Sequence, residues 1–452
     1  MHPVSNLPPL RKPFLIFLAP MMLSNILQAL FGTINNVYLG QMIGVDALAA
    51  VSVFFPAMFF FISFVLGLAS GAGVLIGQAW GAREIGKVKT IAGTTLTVTL
   101  LIGAVIAVLG GLFSHELMAA LATPANIRDA AASYARIMML AMPLTFTFIL
   151  LTGLMRGVGD TVTPLLALAV STVIGLAVTP SLIRGWFGLP QLGVASAACA
   201  SAVSSLLTLI WLNFYLRRRK HPLAFDAAFL RGMRLDPHLL RIVLRLGIPA
   251  ALNMIVMSTA EMVLLGLVNS FGSGATAAYG AVNQVLSYVQ FPAISIAISV
   301  SIFGAQAIGR GDAKQIGRIV RTGIEMNVVL TGSLVAIAYL FSRILMGFFI
   351  TDPAVIELAQ RSLHIVLWSS VAFGMSTTFS AAMRASGTVW APLSISMLTI
   401  ACVEVPSALL LSHIFGIDGV WLAYPITFCT MLLLQMSFYL LVWRKRTITR
   451  LV

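Results

Sequence analysis

The sequence predicts an all-α polytopic membrane protein with twelve transmembrane helices in two six-helix lobes related by a parallel internal repeat. Three observations support this prediction. The composition is too apolar for a solvated surface, the apolar runs have membrane-spanning length, and several motifs recur at one constant offset along the chain.

The composition indicates that most of the protein surface faces lipid. Of the 452 residues, 59% are hydrophobic and 9% are charged, and the mean hydropathy is +0.99; a soluble domain carries about 25% charged residues. Because lipid cannot hydrogen-bond backbone groups, only helices and closed barrels span a bilayer. The alternation typical of barrel strands is absent, so the spanning segments are predicted to be helices.

Apolar runs divide the chain into two halves of six predicted helices each. We expect an amino-terminal lobe over 1–216, a basic linker over 217–240 and a carboxyl-terminal lobe over 241–452. The runs lie at roughly 13–39, 46–72, 91–113, 131–154, 162–186, 193–216, 241–270, 276–304, 319–349, 355–380, 389–413 and 417–443.

The two halves share motifs at a constant offset. Met155-Arg-Gly-Val-Gly-Asp-Thr-Val-Thr-Pro-Leu165 returns 228 residues later as Met383-Arg-Ala-Ser-Gly-Thr-Val-Trp-Ala-Pro-Leu393. The same offset relates Gln78-Ala-Trp-Gly81 to Gln306-Ala-Ile-Gly309. Such self-similarity indicates a duplicated unit. Since each half contains an even number of spans, both insert with the same orientation, as parallel repeats do.

Basic residues predict the orientation. One side of the predicted topology carries 23 of the 28 Lys and Arg residues, which places both termini in the cytoplasm of a multi-pass protein of the cytoplasmic (inner) membrane. The formal charge of +14 therefore does not indicate a nucleic-acid partner. We interpret Met1–Lys12 as the start of a retained first helix rather than a removed signal peptide.

Carboxylates inside apolar runs are functional candidates, because an ionisable group at the bilayer centre costs about 2.5–3.5 kcal/mol on insertion scales. Glu261 has no basic residue within one turn, and we expect it to hold a coupling ion, either a proton or a cation. The alternative, a structural carboxylate satisfied by hydrogen bonds, stays open for Glu261 too. Glu404 precedes Pro406, and both a structural and a coupling role stay open. Glu325 is expected to pair with Arg321, four residues earlier.

Amide and tyrosine side chains in the first and eighth runs are candidates for substrate or cavity contacts. Two interpretations stay open for them, because interhelical hydrogen bonds would satisfy these groups as well as a polar cavity would. The candidates are Asn35, Asn36, Asn283, Gln284 and Tyr288.

No motif indicates an enzyme. The histidines are scattered, the three cysteines lie singly in apolar runs, and neither pattern matches a metal site or a catalytic cluster. A phosphate-binding Gly-x-x-x-x-Gly-Lys motif is absent, so we expect no cofactor and no ATP-driven step. Arg156 and Asp160, four residues apart in the recurring turn, are expected to pair.

The motifs resemble those of the multidrug and toxic compound extrusion (MATE) transporters. The turn Arg156 to Pro164 is similar to that family's most recognisable signature, and Gly247-Ile-Pro249 opens the seventh run as in the family. Gly40 to Ala50 and Gly416 to Ala423 are similar to further family patterns, the last one favouring the DNA-damage-inducible (DinF-like) branch. The resemblance implies twelve helices and export of organic compounds in exchange for sodium ions or protons.

The sequence departs from the family pattern at ionisable positions. Asn35 stands where many members carry an aspartate, and an amide cannot titrate. The family glutamate of the seventh helix would fall near Met257, and Glu261 lies one turn later. The resemblance therefore implies that coupling has moved to Glu261, with Glu404, in the carboxyl-terminal lobe.

Two functions are compatible with the sequence. The first is a monomeric antiporter that exports amphipathic, often cationic, organic molecules in exchange for inward sodium ions or protons by alternating access. The alternative is a flippase of lipid-linked saccharides, a related duplicated architecture, but such a protein needs a cationic cavity for pyrophosphate. No Arg or Lys lies deep inside the first, second, seventh or eighth run.

Overall fold

The computed structural model describes residues 9–452, and helices joined by short turns make up this part of the chain. Residues 1–8, and with them most of the expected retained amino-terminal segment, lie outside the described residues. The helices are α1 (Arg11–Met42), α2 (Val45–Gly81), α3 (Ile85–Ala120), α4 (Ala125–Leu140), α5 (Met142–Gly157), α6 (Val162–Arg184), α7 (Ala195–Arg218), α8 (Ala227–Gly232), α9 (Pro237–Asn269), α10 (Ser273–Gly309), α11 (Ile316–Leu340), α12 (Ser342–Phe349), α13 (Pro353–Val366), α14 (Ser369–Ala385), α15 (Trp390–Thr399), α16 (Val405–Phe415) and α17 (Ile417–Leu441).

The predicted number of spans is confirmed within residues 9–452. Ten helical segments are each long and apolar enough to cross a membrane. Two bent pairs complete twelve spans when each pair counts as one: α4 with α5, bent by 52°, and α13 with α14, bent by 41°. A π-helical segment, Ile400–Glu404, joins α15 and α16 into a single span.

The internal repeat is visible in the backbone. Gly159 and Gly387 both adopt positive φ, at 90° and 85°, in the recurring turn, where a residue with a Cβ would be strained. The third span of each half also breaks at the same place: Phe113 has φ −124° and ψ 20°, and Phe341 has φ −108° and ψ 17°. Each pair is separated by the predicted 228 residues, so the duplication extends to the breaks in the helices.

The chain forms two compact units, and one comprises Leu23–Ala251. Close backbone packing joins its helices: a Cβ on Gly67 of α2 would lie 2.4 Å from the carbonyl oxygen of Gly247 in α9. The linker packs on the same unit, since Lys89 forms an ion pair with Asp226 and Thr94 donates to the carbonyl of Arg234 at 2.8 Å. That ion pair lowers the pKa of the Asp226 carboxyl.

The recurring turn binds the linker through Asp160. The carboxylate of Asp160 accepts hydrogen bonds from the backbone N–H groups of Val162 and Thr163, at 3.1 and 3.0 Å, and lies 3.3 Å from His221 Nε2. The expected pair between Arg156 and Asp160 is wrong, because the carboxylate turns toward the first turn of α6 and toward the linker. Burial opposes ionisation of Asp160, but the hydrogen bonds from His221 and Thr163 outweigh it and hold its pKa below the usual value.

The second unit comprises the described part of Met1–Met22 together with Leu252–Val452. The start of α1 is held there by Arg11, whose Nη2 lies 3.0 Å from Glu325 Oε2, and by the ring of Phe14, 4.9 Å from that of Phe303. The predicted pair between Arg321 and Glu325 is confirmed at 3.2 Å, so Glu325 has two basic partners.

We expect Asp160→Ala to lower the thermal stability of the purified protein, by about 1–2 kcal/mol at neutral pH, because α6 loses its amino-terminal acceptor and His221 its partner. A carboxyl with a lowered pKa stabilises the folded state above its unfolded pKa of about 3.9. That contribution is lost as the pH falls through the lower folded-state pKa. Unfolding temperatures in detergent, recorded between pH 7 and pH 3, measure the difference.

The matched control is Asp129→Ala, because the Asp129 side chain is 96% exposed. We expect the control to unfold at the wild-type temperature at every pH. Equal effects of the two substitutions would contradict a specific role of Asp160.

Substituting Gly374 tests the packing of α14 on α11. A Cβ on Gly374 would lie 1.9 Å from Asn327 Oδ1, and Asn327 is fully buried, donating to the carbonyl of Val371 at 3.0 Å. We expect Gly374→Ala to destabilise the protein by about 1–3 kcal/mol, as overpacking does. Gly332→Ala is the control, since Gly332 has no atom within 4 Å of the added Cβ. A wild-type unfolding temperature for Gly374→Ala would contradict tight packing between Gly374 and Asn327.

Candidate functional site

A cavity of about 200 Å³ lies within the unit that contains Leu252–Val452. Five spans line it: α9, α10, α14, the span from α15 to α16, and α17. Its polar lining residues are Asn253, Glu261, Asn283, Ser287, Gln290, Thr377, Ser396, Glu404 and Tyr424.

Helical spacing brings these side chains to the cavity. Asn253, Met257 and Glu261 follow one another at four-residue intervals on α9, so they share one face of that helix. Ser396 and Glu404 lie eight residues apart on the opposing span, again on one face.

The same rule applies to the next two helices. Asn283, Ser287 and Gln290 occupy one face of α10, and Tyr424 and Phe428 occupy one face of α17. The polar residues on one face of each helix therefore meet those of the neighbouring helices at the cavity.

Glu404 lies at the end of the π-helical segment. The segment has a sequence cause, because Pro406 has no backbone N–H and cannot continue the regular α-helical ladder. The N–H of Val405 bonds the carbonyl of Ile400, five residues earlier, in place of the usual fourth. Such π-turns occur often at functional sites, and this one positions a carboxylate on the cavity wall.

Within residues 9–452, the two carboxylates of the cavity have no basic partner. Glu404 is 5% exposed, and Glu261 is exposed. They lie close enough for their charges to repel each other. Neither forms an ion pair among residues 9–452, and the buried Oδ1 of Asn253 has no hydrogen-bond partner there. The cavity thus offers several unpaired acceptors and suits a cation or a proton.

Apolar side chains complete the walls. Met257, Phe373, Phe428 and Met431 line the cavity between the polar groups, and the last three are less than a tenth exposed. The volume of about 200 Å³ lies below the roughly 300–1,000 Å³ of pockets for organic ligands. The cavity has room for an ion and its ligands and is smaller than the usual pocket for a drug-sized molecule.

The structure brings some of the predicted residues together. Glu261 and Glu404, the two candidates for coupling, line the same cavity, and Asn283 lines it with them. Gln284 and Tyr288 are partly buried on α10 and are not among the lining residues.

The two candidates on α1 lie in the other unit. Asn35 accepts a weak hydrogen bond from Thr179, 3.5 Å away, and Asn36 is exposed. Both residues belong to Leu23–Ala251, so the cavity with the glutamates does not include them.

Gln290 is not among the predicted candidates, although it shares a face of α10 with Asn283. Five further polar lining residues were not predicted either: Asn253, Ser287, Thr377, Ser396 and Tyr424. Spacing was an available signal for two of them, because Asn253 precedes Glu261 by two turns and Ser287 follows Asn283 by one. Thr377, Ser396 and Tyr424 lie on three other spans. Packing decides which face of each span is turned to the cavity, so the spacing of residues in the sequence does not predict them.

Comparisons with known proteins give one consistent family. The MatE family model matches residues 20–181 and 249–410, once in each half. The chain is 46% identical to the probable multidrug resistance protein YoeA of Bacillus subtilis, over 97% of this chain and 95% of that protein. It is 24% identical to the probable multidrug resistance protein NorM of Thermotoga maritima, over 99% and 96%. A solved structure of a mutant of the Vibrio cholerae MATE transporter VcmN shares its fold, with a TM-score of 0.89 at 20% identity over 97% and 98%.

Proposed function

The chain belongs to the MatE family of multidrug efflux membrane transporters, and from this premise we propose that it is an antiporter. It exports amphipathic organic compounds, often cationic, in exchange for inward protons or sodium ions by alternating access. It acts as a monomer in the cytoplasmic membrane, with both ends of the chain in the cytoplasm. The distribution of Lys and Arg supports this orientation.

The meeting of Glu261 and Glu404 in one cavity carries the proposal. Two carboxylates without a basic partner are unfavourable in a membrane protein unless something compensates their charge. A proton shared between them, or a sodium ion held by their oxygens and that of Asn253, would compensate it. These two glutamates are therefore the proposed coupling site.

Coupling follows from the change in charge. With the ion absent, the two carboxylates repel each other, and with the ion bound, the repulsion disappears. An ion changes a conformational equilibrium only when it binds one state more tightly than the other. We propose that the outward-open state binds the ion and that the ion-bound protein returns inward after releasing its substrate.

The substrate binds outside this cavity, which is smaller than the usual pocket for a drug-sized molecule. The remaining amide and phenol candidates are the proposed substrate contacts: Asn35 and Asn36 on α1, and Gln284 and Tyr288 on α10. All four are uncharged, so they offer hydrogen bonds without selecting one substrate charge.

One coupling ion supplies enough free energy for export. An elementary charge that crosses a membrane potential of 100 mV releases about 2.3 kcal/mol, and a tenfold gradient requires about 1.4 kcal/mol. One inward cation therefore supports a gradient of about fiftyfold for a neutral substrate. For a monovalent cationic substrate the exchange is electroneutral, and only the ion gradient drives it.

The flippase alternative has less support. A lipid-linked pyrophosphate would need Lys or Arg at its binding site, whereas the cavity within Leu252–Val452 is lined by two carboxylates and by no basic residue.

Transport in proteoliposomes tests the proposal. Export of a fluorescent organic cation is measured under an imposed pH gradient and, separately, under an imposed sodium gradient. We expect one gradient to drive wild-type export and both Glu261→Gln and Glu404→Gln to slow it by about tenfold or more, because an amide cannot release a proton or hold the same charge. Glu357→Gln is the control, since Glu357 is exposed and does not line the cavity.

Two results would contradict the proposal. If both glutamine variants respond to the driving gradient as the wild type does, the coupling site lies elsewhere. If neither gradient moves an organic cation through wild-type protein, the flippase alternative gains support, and uptake of a labelled lipid-linked saccharide is the next measurement.

A further inference from the structure

We propose that Tyr279 and Tyr424 form a relay that carries protons from the outer face of the membrane to Glu404 and Glu261. The coupling ion is then the proton. This inference rests on the proposed function, because it takes the two glutamates as the coupling site.

The two tyrosines form a direct link. Their hydroxyl oxygens are 3.0 Å apart, and either oxygen can be the donor. Both side chains are buried, at 5% and 7% exposure, although they belong to helices far apart in the chain. A hydroxyl donates one hydrogen bond and accepts others, so a hydrogen-bonded pair can take up a proton at one end and release one at the other.

The inner end of the link opens into the cavity. Tyr424 lines it together with Glu404, and Asn283, one turn beyond Tyr279 on α10, lines it as well. A volume of about 200 Å³ accommodates several water molecules at about 30 Å³ each. A proton released by the Tyr424 hydroxyl therefore reaches the carboxylates through the solvent of the cavity.

The outer end lies near exposed polar groups. Tyr279 is six residues beyond the start of α10, a rise of about 9 Å. Thr276, one turn before Tyr279, donates to Asn269 Oδ1 at 2.7 Å, and Asn269 is exposed. Asn269 and Thr276 thus form a polar connection from the exposed surface to within about one helical turn of Tyr279, at the end of the unit that faces outward in the proposed topology.

Aromatic packing holds the relay in position. The ring of Trp421 lies 5.2 Å from that of Tyr279 and 5.7 Å from that of Tyr424, and Trp421 is 1% exposed. Rings packed in this way keep the two hydroxyls at hydrogen-bonding distance.

Of the other ionisable groups on the helices packed against the relay, Glu357 of α13 and His413 of α16 are exposed, and Arg384 lies in the last turn of α14. Two more have partners. On α13, Arg361 pairs with Asp418 at the start of α17 at 3.0 Å, and His364 hydrogen-bonds Ser342 at 2.9 Å. The glutamates of the cavity are thus the acceptors for a proton that passes through the tyrosines.

Each transfer conserves protons and charge. The Tyr279 oxygen gains a proton from a hydronium ion on the outer side, which becomes water, while the original Tyr279 O–H bond breaks and that proton passes to Tyr424. Tyr424 releases its original hydroxyl proton through the cavity solvent to a carboxylate oxygen of Glu404. Both tyrosines end neutral, and rotation of their hydroxyls restores the starting arrangement.

Measuring two modes of transport distinguishes a proton relay from a purely structural role of the two tyrosines. Export driven by a pH gradient requires proton entry, whereas exchange of labelled for unlabelled substrate at equal pH on both sides requires none. We expect Tyr279→Phe and Tyr424→Phe to slow the gradient-driven rate about tenfold. Tyr279 does not line the cavity, so Tyr279→Phe should leave the exchange rate unchanged. The double variant should be no slower than either single variant, because breaking one link is sufficient. Tyr439→Phe is the control, a buried tyrosine of α17 that stacks on Trp443 at 5.2 Å.

Several results would overturn the relay. Equal slowing of gradient-driven export and of exchange would assign the tyrosines a structural role. Wild-type rates in both modes, or export driven by sodium and not by pH, would also exclude it. If Glu261→Gln and Glu404→Gln retain gradient-driven export, the proposed function itself has failed. If they lose it while the tyrosine variants keep it, only the relay has failed.

Discussion

The absence of water from the bilayer core is the constraint on which this structure depends. Backbone groups must bond within their own segment, so every span is a helix. Charged side chains are expensive there, so most basic residues lie outside the spans and the few internal carboxylates mark special places. Both the architecture and the position of the candidate site follow from this single cost.

The two halves share the glycines of the recurring turn, but they do not share the carboxylates of the candidate site. Gly159 and Gly387 still share an unusual backbone conformation. The carboxylates do not follow the repeat, because Glu261 corresponds to Thr33, and Glu404 to Leu176, at the offset of 228 residues. The cavity with the two glutamates thus belongs to the carboxyl-terminal half, and the matching positions of the other half carry no carboxylate. Asymmetry of this kind suits the proposed transporter, in which one half binds the ion.

Three structural features meet at the cavity and together make it a candidate ion site. A proline forces a π-turn that sets the direction of Glu404, polar stripes at helical spacing surround it, and a pair of buried tyrosines connects it toward exposed polar groups. Each feature alone has a structural explanation. Together they place uncompensated acceptors, room for solvent and a hydrogen-bonded connection in one part of the molecule.

The sequence alone determined the twelve spans, the duplication and the two glutamates, because hydropathy, repeated motifs and charges in apolar runs are local properties. Only the tertiary structure decided that Glu261 and Glu404 share a cavity, that Tyr424 bonds Tyr279, and that Asp160 contacts His221 instead of Arg156. These contacts join segments far apart in the chain. They depend on how each helix is rotated and packed. Small differences among many side-chain contacts determine that rotation and packing.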